Sequence, residues 1–214
     1  RSQDNYVVQW ADPNSEKPEL KKPIKNAKVK LPAEFEVPWN AKKPFVKLKD
    51  GDVYAPEVGF VDGFPAARDV KNNKGWLLHC YGAVGAGRDN PTDSGGGTEL
   101  YAVTGHAPRH LDRNVTLIGR VVYGMDLLSS LPRGKGPMGF FEKNQSFVGI
   151  KSVRLASEVT EGERTNLEIM KTDSKTFQDL IQSRRHRSEE WFAFRADKIE
   201  ICNVPIPTRA LVAK

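Results

Sequence analysis

Two strand-like runs separated by a short polar loop occupy the middle of this 214-residue chain. They cover residues 99–104 and 115–123, are rich in Val, Leu, Ile and Tyr, and are bounded by Gly, Pro, Asn and Asp. Alternation along the first run predicts that Glu99, Tyr101 and Val103 share one face of a strand. One face of this strand therefore combines an aromatic ring with a hydrogen-bonding group.

The loop between the two runs contains Pro108 and presents His110 and Leu111 at its tip, where they are placed to line a pocket. His106 and His110 are four residues apart, a spacing that on a helix serves a metal ion. Gly105 and Pro108 favour a loop instead, and no carboxylate or cysteine cluster completes such a site. We therefore expect neither a metal nor a cofactor.

The overall composition is that of a soluble globular chain, with 38% hydrophobic and 28% charged residues. Its length suits one domain with a sizeable core. The formal net charge is +6, but charge by itself predicts solubility and non-specific association rather than a particular partner. No apolar run approaches the roughly 18 residues of a membrane span. We expect no specific nucleic-acid partner and no membrane span.

Residues 13–58 differ in composition from the rest of the chain. Ten lysines lie between Lys17 and Lys49, interleaved with prolines that disfavour long helices and central strands. This pattern is typical of a surface excursion with one or two hairpins; the alternative is an arm that binds a partner or gates the substrate. Residues 28–31 and 46–49 alternate Lys with apolar side chains, which predicts half-exposed edge strands.

Periodicity and turn signals predict the remaining elements. The expected strands are residues 76–81, 147–155 and 198–204, and the expected helices are residues 124–131, 163–170 and 174–190, the last with Ser174 as its N-cap. The two cysteines, Cys80 and Cys202, are too few for a disulfide framework. We expect reduced thiols; a single bridge in an oxidising compartment is the alternative.

Several of these segments resemble a known family. Residues 98–101 and 111–121 with Gly124-Met125 resemble the signature of the cyclophilin-type peptidyl-prolyl cis-trans isomerases. Residues 1–12 are similar to the family segment in which an arginine, an aromatic residue, a glutamine and an aspartate follow in register. Because strands and a helix precede that arginine in the family, the resemblance implies that further strands precede Arg1 in the complete protein.

The resemblance implies a mainly β fold, a cyclophilin-like closed antiparallel β-barrel capped by helices. We expect residues 1–214 to form a single cyclophilin-like domain. Relative to simpler members it carries the Lys/Pro-rich insertion at residues 13–58 and a helical insertion at residues 156–197 before the final barrel strand.

The resemblance also implies a substrate site. Its catalytic residue is Arg1. Tyr6, Val7, Tyr101 and Leu111 form the apolar floor, with His110 at its rim. Gln9 and Glu99 supply polar contacts, and the backbone of Gly82 and Ala83 pairs with the peptide. The chain departs from the family at several of these positions. Glutamine is replaced by Glu99, phenylalanine by Tyr101, tryptophan by His110, asparagine by Ala83 and histidine by Val115. We hypothesise that Glu99 orients Arg1, or alternatively clamps it.

The implied activity is acceleration of Xaa-Pro bond rotation in folding proteins. The implied partners are proline-containing peptides and unfolded proteins, with cyclosporin-type ligands bound at weakened affinity. The alternative is a catalytically weak module that binds proline-containing segments, favoured by the departures at Glu99 and Val115. Larger bacterial members are often exported, which implies a periplasmic setting, with a cytoplasmic one as the alternative.

Overall fold

The computed structural model describes residues 1–106 and 108–211. The regular elements, in chain order, are β1 (Val7–Trp10), β2 (Val37–Pro38), β3 (Val46–Leu48), β4 (Glu57–Val61), β5 (Phe64–Asp69), β6 (Lys74–Leu77), β7 (Ala83–Ala86), β8 (Leu100–Val103), β9 (Leu117–Arg120), α1 (Met125–Ser129), β10 (Leu167–Ile169), α2 (Lys175–His186) and β11 (Thr208–Ala210). Within these ranges, no helix has the length and apolar character that crossing a bilayer requires.

A four-stranded antiparallel sheet carries the two runs of the chain centre. Its strand order is β1-β8-β7-β9, so β7 and β8 are interior strands and β1 and β9 are edges. The predicted strand within residues 99–104 is confirmed as β8, and that within 115–123 as β9. The predicted short helix at residues 124–131 is confirmed as α1, which has no fully buried residue.

A second antiparallel sheet has five strands in the order β2-β6-β5-β4-β3. Asp62 and Gly63, both at positive φ, form the two-residue turn between β4 and β5, as expected for an Asp-Gly hairpin. The predicted edge strand at residues 46–49 is confirmed as β3. The one predicted at residues 28–31 is wrong, because those residues are exposed and pair with no strand.

Helix α2 completes the main hydrophobic core against the five-stranded sheet. Ser174 caps the helix as predicted, since its Oγ accepts a hydrogen bond from the Phe177 backbone N–H at 3.2 Å. Phe177 and Ile181 lie four residues apart on the buried face of the helix. The Phe177 ring packs edge-on against Phe60 of β4 at 4.9 Å between centroids. The apolar face of α2 thus packs against the five-stranded sheet.

The expected closed barrel is wrong for the residues that the structure describes. Closure requires edge strands to hydrogen-bond to one another. The edges β1 and β9 of one sheet and β2 and β3 of the other have no such partners, so the two sheets remain open.

Three predicted elements are also wrong. Residues 147–155 form no strand, because no segment pairs with them, and Val153 is 81% exposed. The predicted helix at residues 163–170 does not form; residues 167–169 are instead β10, which pairs with β11, so tertiary pairing overrides the local helical preference. The expected final strand at residues 198–204 is a short 3₁₀ turn, because the Glu200 carboxylate accepts the Cys202 N–H at 2.7 Å.

The expectation of reduced thiols is wrong as well. Cys80 and Cys202 form a disulfide, with their Cα atoms 4.9 Å apart and 122 residues between them in sequence. The bridge joins the β6–β7 connection to the 3₁₀ turn near the end of the chain. Sequence spacing could not predict it, because only the packing of the C-terminal segment brings the two thiols together.

Candidate active site

Strand register gathers several of the expected site residues on one face of the four-stranded sheet. Gln9 of β1 pairs with Tyr101 of β8. Val7, two residues before Gln9, pairs with Val103, two residues after Tyr101. Tyr101 in turn lies opposite Gly85 of β7. Because side chains two apart share a face, these residues lie together on one face of the sheet. The alternation predicted for residues 99–104 therefore agrees with the observed pairing.

A relay of hydrogen bonds connects the arginine to the glutamate across this face. The Nε of Arg1 donates to the Oε1 of Gln9 at 2.8 Å, and the Nε2 of Gln9 donates to Glu99 Oε2 at 2.7 Å. Glu99 therefore acts on Arg1 through the intervening amide. An ionised carboxylate can only accept, so it orients the Gln9 amide with its nitrogen towards Glu99 and its oxygen towards Arg1.

The Arg1 guanidinium is half-buried between this relay and an aromatic ring. Its central carbon lies 5.3 Å from the centroid of the Phe140 ring, within cation–π range. Partial burial lowers the pKa of Arg1, with the nearby Tyr6 and Glu99 opposing that effect. The group stays protonated at neutral pH because the ordinary value is so high. Among the described residues, the Nη nitrogens make no hydrogen bond, so they remain available as donors.

A buried apolar cluster, which we call the floor, lies on the same sheet face as Gln9, the residue that holds Arg1. Val7 is 2% exposed and Tyr101 is 5% exposed, and both belong to a small hydrophobic cluster with Val103 and Ala83. Tyr6 packs on the edge of this cluster. The ring of Tyr6 is nearly parallel to that of His110, with centroids 6.1 Å apart.

The loop after β8 supplies the rim. Residues 109–111 form a 3₁₀ turn in which His110 is exposed and Leu111 is half-buried. The loop therefore places the His110 ring against Tyr6, and the lining of a pocket by His110 and Leu111 stays a prediction.

Comparison with known proteins identifies the family. The family model for cyclophilin type peptidyl-prolyl cis-trans isomerase/CLD matches residues 1–154, which is more than half of the chain. The chain belongs to this family. It is thus a cyclophilin-type peptidyl-prolyl cis-trans isomerase, as its resemblance implied.

A solved cyclophilin shares the fold. The crystal structure of cyclophilin AquaCyp293 from Hirschia baltica matches with a TM-score of 0.69 and 22% sequence identity, over 100% of this chain and 76% of that one. At this identity the similarity concerns the fold alone. No curated protein sequence matched significantly.

Two expected site residues of this cyclophilin lie where they cannot pair with a substrate. The Gly82 N–H donates to the Val103 carbonyl and the Gly82 carbonyl accepts from the Val121 N–H, both at 2.8 Å. Ala83 is buried in β7, whose backbone bonds to strands on both sides. An interior strand has no free backbone edge to offer, so the expected peptide pairing at Gly82 and Ala83 is wrong.

Sequence reasoning missed other residues that line or support this cyclophilin's site. They are Phe140, which covers Arg1, and a buried polar group of His79, Arg109 and Asp112 beneath Tyr101. Asp112 in this short loop was a partial signal, because aspartate side chains commonly accept hydrogen bonds from nearby backbone groups in turns. Nothing local indicated Phe140, which reaches Arg1 from a distant part of the chain.

Proposed function

We propose that Arg1 catalyses Xaa-Pro isomerisation by donating a hydrogen bond from its Nη nitrogens to the proline nitrogen. Amide resonance gives the peptide bond a rotational barrier of about 18–20 kcal/mol. In the twisted state the nitrogen lone pair is localised and accepts a hydrogen bond, so a donor placed there stabilises the transition state more than the ground state. The observation that carries this proposal is Arg1 itself, held through Nε by Gln9 with its outer donors available.

The neighbouring surface suits the rest of the substrate. An apolar floor of Val7 and Tyr101 would hold the proline ring, while Tyr6, Leu111 and His110 limit its position. The substrates would be exposed Xaa-Pro segments of unfolded proteins. Cyclosporin-type ligands would bind with weakened affinity, because His110 offers less apolar surface than an indole ring.

Exchange NMR on a short Xaa-Pro peptide tests the role of the arginine. We expect Arg1→Ala to lower the catalysed rate about 100-fold, the usual effect of removing one transition-state hydrogen-bond donor. The catalysed rate of Arg1→Lys should lie between those of the parent and Arg1→Ala. An ammonium keeps the charge but cannot bind Gln9 and the substrate through one planar group. Arg209→Ala is the matched control, because that arginine forms an exposed ion pair with Glu168. An unchanged rate in Arg1→Ala would disprove the mechanism.

The second candidate function is recognition of proline-containing segments with little turnover. It is favoured by the relay from Glu99 through Gln9, which restrains the Arg1 guanidinium on one side. The same NMR experiment separates the two functions. Peptide-induced shifts with no acceleration in the parent protein would establish the binding module.

We also propose that this cyclophilin works in an oxidising compartment such as the periplasm. The Cys80–Cys202 disulfide supports the proposal, since such bridges persist outside the reducing cytoplasm. Alkylating free thiols in intact cells before lysis tests it. Two protected cysteines are expected, and two alkylated cysteines would place the protein in the cytoplasm.

A further inference from the structure

A buried hydrogen-bond chain begins at the floor of the candidate site. The Tyr101 hydroxyl lies 2.8 Å from His79 Nε2, and His79 Nδ1 lies 2.9 Å from Asp112 Oδ1. The exposed fractions of Tyr101, His79 and Asp112 are 5%, 0% and 9%. A carboxylate can only accept, so Nδ1 donates to Asp112 and, in the singly protonated ring, Nε2 accepts from Tyr101. Burial raises the pKa of Tyr101, which keeps its hydroxyl protonated as the donor.

The chain continues from Asp112 into the Lys/Pro-rich insertion. Arg109 Nε donates to Asp112 Oδ2, and the two Nη nitrogens of Arg109 donate to the carboxylate oxygens of Asp52 at 2.8 and 2.9 Å. The side chains of Arg109 and Asp52 are each 4% exposed. Burial opposes the charge of Arg109, but hydrogen bonds to Asp52 and attraction to Asp112 raise its pKa overall. The Arg109 guanidinium therefore pairs with both carboxylates, and its Nη1 also lies 3.4 Å from Glu200 Oε1.

This hydrogen-bond chain joins the floor of the site to the loop that forms its rim. Tyr101 belongs to the floor on β8, while Asp112 directly follows the turn that carries His110 and Leu111. His79 bridges them from the β6–β7 connection, with its ring 6.2 Å from that of Tyr101 and nearly parallel to it.

Gly85 leaves room for the Tyr101 ring in this position. A Cβ built on Gly85 would collide with the hydroxyl and ring of Tyr101. The ring therefore lies against the backbone of β7, with its hydroxyl directed at His79. Hydrogen bonds therefore link the floor to the loop that carries the rim.

We propose that His79 and Asp112 are positioning residues for the prolyl pocket, acting through the Tyr101 hydroxyl. Arg109 and Asp52 hold Asp112 in place and so connect the insertion to the pocket floor. This inference rests on the proposed isomerase site, but it concerns the shape of the pocket rather than the chemistry of Arg1. A pocket positioned by these contacts binds the proline ring tightly only while the hydrogen-bond chain from Tyr101 to Asp52 is intact.

A double-mutant cycle tests the proposal. Tyr101→Phe, His79→Leu and the double variant are compared with the parent for Xaa-Pro peptide affinity, for exchange rate and for thermal stability. Each single variant should weaken peptide binding about three- to tenfold, the effect of one lost hydrogen bond. The double variant should bind no more weakly than the worse single variant, because both act through one contact. Should His79→Leu fail to fold, Tyr101→Phe, which removes only one oxygen atom, carries the test by itself.

The control is Asp50→Asn, which breaks a comparably buried ion pair with Arg185; among the described residues, neither side chain hydrogen-bonds to Tyr101, His79, Asp112, Arg109 or Asp52. It should lower stability without changing peptide affinity. Parent-like affinity in both Tyr101→Phe and His79→Leu, or additive losses in the double variant, would overturn the proposal. A parent that binds peptide but does not accelerate exchange would count against the mechanism of Arg1 alone; a parent that does neither would overturn both.

Discussion

The orientation of the Gln9 amide is the residue-scale feature on which the geometry of Arg1 depends. Gln9 accepts from Arg1 and donates to Glu99, so reversing its amide would direct an NH₂ group at the guanidinium. A carboxylate at residue 99 makes that reversal unfavourable, whereas an amide there would tolerate both orientations. Glu99 makes no direct contact with Arg1 in this relay, which argues for orientation rather than clamping.

Replacing the carboxylate by its amide isolates this effect. We expect Glu99→Gln to lower kcat/KM for an Xaa-Pro peptide about three- to tenfold, which corresponds to one weakened hydrogen bond. The loss should appear in kcat more than in KM, because Glu99 acts through Gln9 on the proposed hydrogen-bond donor Arg1. Exchange NMR at several peptide concentrations separates the two constants. An unchanged rate would remove the orienting role, and a faster one would support the clamping hypothesis.

Strand and helix ends in this cyclophilin are stabilised by a few well-placed polar groups. Ser174 satisfies the first turn of α2, directly before the buried Phe177. Glu57 on β4 accepts from Lys47 on β3 and from Arg68 on β5, both at 2.6 Å, and so connects three adjacent strands. Both groups lie outside the candidate site, so their effects on stability can be tested separately from those on activity.

The N-cap of α2 can be tested by a single substitution. Ser174→Ala should lower the free energy of unfolding by about 0.5–2 kcal/mol, since the Phe177 N–H loses its acceptor. Ser174→Asp keeps an acceptor and places a negative charge at the helix N-terminus, so it should be at least as stable as the parent. Urea denaturation gives both values. Equal losses in the two variants would show that the cap is not the cause.

The loss of folding stability at acidic pH should depend on Glu57. Hydrogen bonds from Lys47 and Arg68 hold the pKa of Glu57 below its ordinary value of 4.5. A carboxylate whose pKa is lowered by folding contributes stability above its unfolded pKa, and that contribution is lost as pH falls through the folded pKa. Glu57→Gln should therefore lose less stability than the parent between about pH 5 and pH 3.

Urea denaturation across this pH range measures that difference. Glu19→Gln is the control, because Glu19 forms no ion pair among the described residues. Parallel pH profiles for the parent and Glu57→Gln would contradict the assignment.

At the scale of the whole molecule, the C-terminal segment is part of the structure that supports the site. Ile199, Ile201 and Val204 share the main core with residues of the five-stranded sheet. The disulfide joins this segment to the connection that leads into β7. Residues beyond the family match, which ends at residue 154, thus pack into the core of the five-stranded sheet.

Removing the disulfide measures its contribution to stability. The Cys80→Ser/Cys202→Ser variant should lose about 2–4 kcal/mol of unfolding free energy, because the bridge closes a long loop in the unfolded chain. Adding a reductant to the parent should give the same loss, and adding it to the variant should change nothing. Two titratable thiols in the unfolded, unreduced parent would show that the bridge does not form.

Local signals in the sequence were sufficient for much of this cyclophilin. Alternation and turn residues located β3, β8 and β9, and the serine before an apolar stripe located α2, because these patterns depend only on neighbouring residues. The spacing of Arg1, Tyr6 and Gln9 was enough to indicate the family, which the family comparison then confirmed. Even the shared face of Glu99, Tyr101 and Val103 follows from the period of a strand.

What only the tertiary structure decided depends on residues far apart in the chain. The disulfide, the pairing of β10 with β11 and the contact of Phe140 with Arg1 each join distant segments, and no local pattern encodes them. The role of His79 is also encoded by no local pattern. His79 joins the buried hydrogen-bond chain only because Tyr101 on β8 and Asp112 in the following loop both contact its ring. Periodicity determines which way a side chain points, but only packing determines what it meets.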